Sequence, residues 1–385
     1  MKSRLKNFNG KISLSVDVMG TYNFVRISLH FIDETWSLKK WVIKSCPLDD
    51  TSPWDVIIES AEDWGIKNKI SSVTLSSFYE YDTFEYIKDH LHGKKKLSLN
   101  GQLFGVYCCG EFMSQTVQYA FGKIQDTIGK ARLLYNPKGE PLWYLTSFHL
   151  NQTMELRSMG EYSSKDVMDN YDKAKAICEI ADIIYKVADG LFKKECVTAN
   201  LYLHHLHGIC AFLTQISSEA ESFEASKLDK YWNGMFMVLA IAAALDPRFK
   251  MKYVEFTCTK VGGSQVYKAV SDALYNLYAD YLIQKSSSSS GKAKEEGSFT
   301  VLQEIVSQAQ NWHLKTELEQ YLEEPLLPWS EDLCVLKWWK ISSSQYPTLS
   351  MMVRDFLAVP ISLATSYKAF YTEPRPVVEH LITTL

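Results

Sequence analysis

Near the start of the chain, three runs rich in β-branched and aromatic residues, 12–18, 22–32 and 36–43, are broken by short turns at Gly20-Thr21 and Asp33-Glu34. That pattern predicts an antiparallel meander of three strands. Between 54 and 64, Val56, Ile57, Ala61 and Trp64 fall at helical spacing, and a short strand over 72–75 follows. Helical periodicity over 84–91, a strand near 106–109 and a helix over 112–128 extend this into a mixed sheet flanked by helices.

From about residue 166 to 245 strand signals fade and long amphipathic patterns dominate, including 174–192 and 201–217. The stretch 235–245 is almost wholly apolar and predicts a helix buried around most of its circumference. Asp246-Pro247 stops it, because proline lacks an amide donor and disfavours helix in the residue before it. Helix resumes near Ser264, and the polar, small, aperiodic run 285–298 predicts a flexible linker ahead of the segment 299–385. No internal repeat of solenoid length is evident.

Composition narrows the partners. A formal net charge of -4 supplies no global field toward a phosphate backbone. The Lys94-Lys95-Lys96 cluster is read as a solvated loop. Eight cysteines without repeating spacing, and no apolar run of signal-peptide type at the start, point to a reducing compartment. The longest apolar stretch falls short of the roughly 20 residues that cross a bilayer, so no membrane role is expected.

Two segments carry a specific family likeness. The run KLDKYWNGMFMVLAIAAALDPRFKMKYVEF, 227–256, resembles the segment that closes the RNase H-fold region of plant hAT-superfamily transposases. The tail 317–366 resembles the C-terminal dimerisation region of the same family, with the pair Trp338-Trp339, a YP-x-L step at Tyr346 and Leu349, and an RD-x-LA-x-P turn through Leu357 and Val359. The opening GKISLSVDVMGTYNFVRISLHFIDETWSLKKWVI, 10–43, is similar to the first three strands of that family. The resemblance implies an α/β fold, an RNase H-like mixed sheet with an all-helical insertion and a helical C-terminal dimerisation region. It divides the chain into 1–150, the first part of the RNase H-like core; 151–245, the insertion; 246–284, the close of the RNase H-fold region; 285–298, the linker; and 299–385, the dimerisation region.

The same resemblance places the chemistry. Enzymes of this class use two Asp and one Glu to hold two divalent ions. Asp17, on the first strand, occupies the place of the first acid. The second belongs after the fourth strand, where this chain reads Val73-Thr74-Leu75-Ser76, with Ser76 in place of the carboxylate. The third belongs in an SE-x-x-F motif, and the matching residues are Ser366, Tyr367, Lys368, Ala369 and Phe370, with Tyr367 in place of the glutamate. A CC-x-H motif reads Cys108-Cys109-Gly110-Glu111, without its histidine. No Cys/His quartet has zinc-finger spacing, so the BED-type finger usual in the family is expected to be absent.

These readings predict a catalytically inactive, domesticated transposase-like protein with vestigial Asp17, Ser76 and Tyr367, no cofactor and no metal site. The alternative is a metal-dependent DNA transposase or nuclease with a triad rebuilt from Asp17, Asp82 and Glu373. Cys108 and Cys109 are expected to be buried small hydrophobes. His204, His205 and His207 lack the spacing and carboxylate support of a zinc site and are read as a solvated or capping cluster. Trp338 and Trp339 either stack on bases or anchor a core or dimer seam, and the seam is preferred. Trp338, Trp339, Tyr346, Leu349, Leu357 and Val359 are accordingly expected in the interface of a homodimer, or of a heterodimer with related transposase-like proteins. The resemblance implies a nuclear location, and any DNA contact is expected to be weak or indirect.

Overall fold

Alternation along the first predicted strand puts Ser13, Ser15 and Asp17 on one face and Ile12, Leu14 and Val16 on the other. A computed structural model describes residues 2–19, 24–48, 51–75, 81–93, 97–110, 113, 152, 171–192, 198–208, 235–261, 263–289, 315–330 and 333–363. In it, the meander forms as β1 (Ile12–Met19), β2 (Phe24–Ile32) and β3 (Leu38–Pro47), each antiparallel to the next. The later strands β4 (Ile70–Leu75) and β5 (Gly105–Tyr107) add in parallel on the other side of β1, giving the order β3-β2-β1-β4-β5. The class is α/β with an RNase H-like mixed sheet.

Helices cover both faces. A short helix, α1 (Lys2–Asn7), precedes the sheet and is anchored by Lys69, whose ammonium donates to the carbonyls of Leu5, Lys6 and Phe8. The helix α2 (Pro53–Asp63) starts where Ser52 accepts the Trp54 amide, with proline in its first turn. The next helix, α3 (Tyr81–His92), lies on the apolar sheet face. Its Phe84 ring meets Tyr107 edge-on at 5.2 Å and presses on Gly105 so closely that a Cβ there would lie 2.6 Å from the ring.

The polar face of the sheet is closed by the C-terminal segment. There α7 (Glu317–Glu323), α8 (Val335–Ser342) and α9 (Pro347–Leu357) follow α5 (Lys250–Val261) and α6 (Gly263–Ser289). Helix α9 lies against β2 and α6, and Thr74 on β4 donates to the Pro360 carbonyl. Leu349, Met352 and Val353 of α9 are fully buried.

The chain divides into two compact units. One comprises Met1–Tyr107, Thr198–His204 and Tyr231–Ile361; the other comprises Cys108–Val197, His205–Lys230 and Ser362–Leu385. The apolar run 235–245 therefore belongs with the sheet-bearing unit. Residues 239–245 are 0–1% exposed, and the Leu245 carbonyl accepts the Trp339 indole N–H at 2.8 Å. In the second unit the described helix is α4 (Tyr171–Phe192), with Cys178, Ala181, Ile184 and Leu191 buried along one face.

Two boundaries differ from the sequence expectation. The serine run expected as linker is helical as far as Ser289, because Lys285 is held by the Thr348 hydroxyl at 3.0 Å and Ser286 bonds back to the Leu282 carbonyl. The rest of 285–298 lies outside the described residues. Strand β3 runs four residues beyond residue 43, to Pro47. As an edge strand with half-buried and exposed side chains over 44–47, it needs no apolar alternation at its end.

Candidate functional site

The polar face of the sheet is built by register. Ser13, Ser15 and Asp17 on β1 stand opposite His30, Ser28 and Arg26 on β2, while Ser72 and Thr74 flank them from β4. Two side-chain bonds tie this layer together: Ser15 with the His30 Nε2 at 2.8 Å, and Ser72 donating to Ser13 at 2.8 Å. Burial, and then the Lys40 ammonium across the ladder, push the His30 imidazolium down to about 3, so the ring is neutral.

Asp17 is half-buried near the end of β1, directly opposite Arg26. Lys40 lies within their field: desolvation lowers its ammonium most, Arg26 next, and Asp17 acts the other way. Among the described residues, Asp17 on this face thus lies near two cations, Arg26 and Lys40. Among the described residues, no group of three or more His, Cys, Asp or Glu is placed to hold a metal.

The other positions of the expected triad fare differently. Strand β4 ends at Leu75, and Ser76 itself lies outside the described residues, as do Tyr367 and Glu373. Asp82 is exposed in the first turn of α3. Lys94, Lys95 and Lys96 are also outside the described residues. Cys108 and Cys109 are buried, and the Cys108 sulfur accepts the Leu363 amide at 3.1 Å.

The tail residues expected at a dimer seam are placed inside the chain's own fold. Trp339, Tyr346, Leu349, Leu357 and Val359 are 0–6% exposed, and Trp338 is half-buried with its ring edge-on to Trp339 at 4.9 Å. Trp339 also packs on Tyr321 at 5.0 Å, and the Tyr346 hydroxyl donates to Glu324. Aromatic pairs and alternating apolar positions look alike in sequence whether the surface they meet is their own chain or another.

A polar clasp that sequence reasoning passed over joins this region to the apolar helix. Asp246 accepts from the Arg248 backbone amide at 2.9 Å, from its Nε at 3.0 Å and from its terminal nitrogen at 2.6 Å. The same carboxylate accepts from Asn200 at 2.5 Å, and Arg248 reaches on to the Ser330 carbonyl at 2.7 Å. Lys250, buried and at a φ of +48°, donates to the carbonyls of Tyr321 and Glu324 at the end of α7. A cation there satisfies the last carbonyls of a helix and complements its dipole. Farther along, buried Asp355 accepts the Lys11 amide at 2.8 Å and the Tyr281 hydroxyl at 2.5 Å, and burial raises its carboxyl. The signal available in sequence was the polar run Asp246-Pro247-Arg248 directly after eleven apolar residues.

His204 is not solvated as expected. It lies half-buried among the rings of Phe249, Tyr253 and Trp329, with its Nδ1 3.0 Å from the Tyr253 hydroxyl. Aromatic neighbours from α5 and the 325–330 loop enclose it.

With this geometry in view, comparison with known proteins gives a consistent result. Residues 18–103 match the ZBED1 RNase-like domain, 190–281 the hAT-like transposase RNase-H fold, and 317–381 the hAT family C-terminal dimerisation region. Zinc finger BED domain-containing protein RICESLEEPER 1 of Oryza sativa subsp. japonica is 27% identical over 442 residues, covering 94% of this chain and 61% of the relative. Zinc finger BED domain-containing protein DAYSLEEPER of Arabidopsis thaliana is 27% identical over 438 residues, covering 99% of this chain and 62% of the relative. RICESLEEPER 3 of Oryza sativa subsp. japonica is 26% identical over 435 residues, covering 94% and 57%. The chain spans about three fifths of the length of these relatives. It carries hAT-like transposase domains, an RNase-H-fold region followed by the hAT C-terminal dimerisation region, and is homologous to the plant RICESLEEPER and DAYSLEEPER proteins.

Proposed function

We propose that this protein is a catalytically inactive, transposase-derived nuclear protein that acts through dimerisation, with itself or with related transposase-like chains, and meets DNA or transcription complexes through such partners. The observation that carries the inactive reading is the pairing of Asp17 with Arg26 across the β1–β2 ladder. Two divalent ions need converging carboxylates, whereas here the strand-borne acid stands opposite Arg26 in the ladder register, and the family resemblance puts serine and tyrosine at the other two positions. The dimerisation half of the reading is supported by the match of 317–381 to the family's dimerisation region. The nuclear location is carried over from the kind of protein the relatives are named to be, BED zinc finger proteins.

Manganese binding followed by electron paramagnetic resonance tests the first half. The wild-type chain and Asp17→Asn are expected to leave the free-ion signal equally unchanged at millimolar metal. Tight binding that Asp17→Asn abolishes would revive the nuclease with a triad of Asp17, Asp82 and Glu373. Light scattering tests the second half: the expected mass is twice the 44.1 kDa of one chain, and a monomer at every concentration would remove it.

A further inference from the structure

Five of the six apolar tail residues that the sequence offers for an interface are consumed by the chain's own core, so a dimer must be built from something else. Tyr253 and Phe256 are three apart on one face of α5, and Phe249, in the turn just before that helix, stacks on Tyr253. Such a stripe is ordinarily core, but this one runs outward. Phe249 is 4% exposed, Tyr253 is half-buried and Phe256 is 53% exposed, with successive ring centroids at 4.8 and 6.3 Å. Trp329, from the dimerisation region, lies 5.6 Å from Phe249 and is 51% exposed.

Trp329 is exposed but not loose. The Arg248 guanidinium sits 5.0 Å from its ring centroid, and that guanidinium is itself fixed by Asp246 and the Ser330 carbonyl. Pro325 and Pro328 stiffen the loop that carries it, and the Leu327 amide is tied to the Pro247 carbonyl at 3.0 Å. A half-exposed tryptophan held in one pose has already lost the freedom that binding would otherwise remove. Rigid aromatic anchors of this kind dominate the energetics of protein interfaces.

We propose that this platform, Trp329 with Phe256, is where a second copy of the chain docks; the inference rests on the dimerising function proposed above. The occupant is named by position: Trp329 lies within the stretch matched as the family's dimerisation region, and the platform continues from it onto α5. Single-stranded nucleic acid, the other ligand of aromatic platforms, needs a basic groove. Here the Arg248 guanidinium is spent on Asp246, and the sequence on either side of the loop, Glu323-Glu324 and Glu331-Asp332, is acidic. The same patch on two copies meets itself about a two-fold axis, as most homodimers require.

The test uses the full chain, light scattering over a dilution series, and thermal unfolding as a check on the fold. Trp329→Ala is expected to raise the dimer dissociation constant at least about 30-fold, the loss typical of a hot-spot residue. Phe256→Ser, at the far end of the platform, is expected to weaken the dimer without lowering the melting temperature, and it keeps the test open if Trp329→Ala fails to fold. Ile341→Ser alters the most exposed large apolar residue among those described, on α8, and is expected to leave the dimer intact. The proposal is overturned if Phe256→Ser and folded Trp329→Ala remain dimeric at every dilution, or if Ile341→Ser alone dissociates the chain. It is overturned in favour of nucleic acid if the mass is unchanged while binding of a labelled oligothymidine, by fluorescence anisotropy, is lost in Trp329→Ala. A wild-type chain that is monomeric throughout rejects the dimerising function itself, a different result from a dimer indifferent to Trp329.

Discussion

His30 shows how much one residue's setting decides. Its ring is enclosed in the sheet, hydrogen-bonded to Ser15, with a pKa pushed down to about 3 by burial and then by Lys40. A folded-state value below the unfolded one of about 6.5 means that the contribution to stability is complete above that pH and lost as pH falls from 6.5 toward 3. Urea unfolding of the wild type is therefore expected to lose up to about 1.4 kcal/mol per pH unit across this window from the one site. His30→Gln, which keeps a hydrogen-bonding group for Ser15, should show a slope shallower by that amount; equal slopes would mean the ring is charged in the fold. At Asp355 the sign is reversed. Its raised carboxyl contributes stability that is fully present below about pH 4 and lost as pH rises through the folded value. Unfolding curves of Asp355→Asn against wild type should accordingly shift in favour of the variant as pH rises above about 4, and a constant difference would contradict the burial of a charge.

At the level of elements, the strands β1 and β2 were legible because composition and turns agree there, and β3 was legible except at its exposed end. The apolar helix before Asp246 was legible from composition alone. What sequence left open is where that helix is fastened, because the clasp joins Asp246 and Arg248 to Asn200 and Ser330, both far from them along the chain. The tail was legible as apolar segments but not as core, since Trp339 and Trp329 are both tryptophans of one short stretch and only packing separates the buried one from the exposed one. The clasp makes its own prediction. Asp246→Ala strands a buried guanidinium and is expected to cost about 3–5 kcal/mol in urea unfolding, while the double change Asp246→Leu with Arg248→Met should recover much of that loss. A cost for the double variant equal to that of Asp246→Ala would mean that the carboxylate acts chiefly through Asn200 and the backbone.

For the whole molecule, the question is whether the dimerisation region is an appendage or part of the sheet-bearing unit. The amino-acid sequence puts a polar, aperiodic run ahead of a C-terminal segment expected to pack back on the sheet, and deletion after residue 298 looks the natural test of dimerisation. The structure argues for integration. Leu318, Tyr321, Trp339, Tyr346, Leu349 and Met352 are each 0–1% exposed within the unit that holds the sheet. Bonds from this region reach Lys11, Leu245, Lys250 and Tyr281. At about 1.5–3 kcal/mol for each large side chain kept from water, these six alone are worth about 10 kcal/mol or more, comparable to the entire stability of an ordinary domain. Deletion of 299–385 is therefore expected to abolish cooperative thermal unfolding and to give aggregates, not monomers, in light scattering. By the same reasoning Leu349→Asp, which buries a charge without a partner, should unfold the chain before it could dissociate a dimer. A truncated chain that melts cooperatively as a monomer would show that the sheet stands without the tail, and would return Trp339 and Leu349 to the interface in place of Trp329.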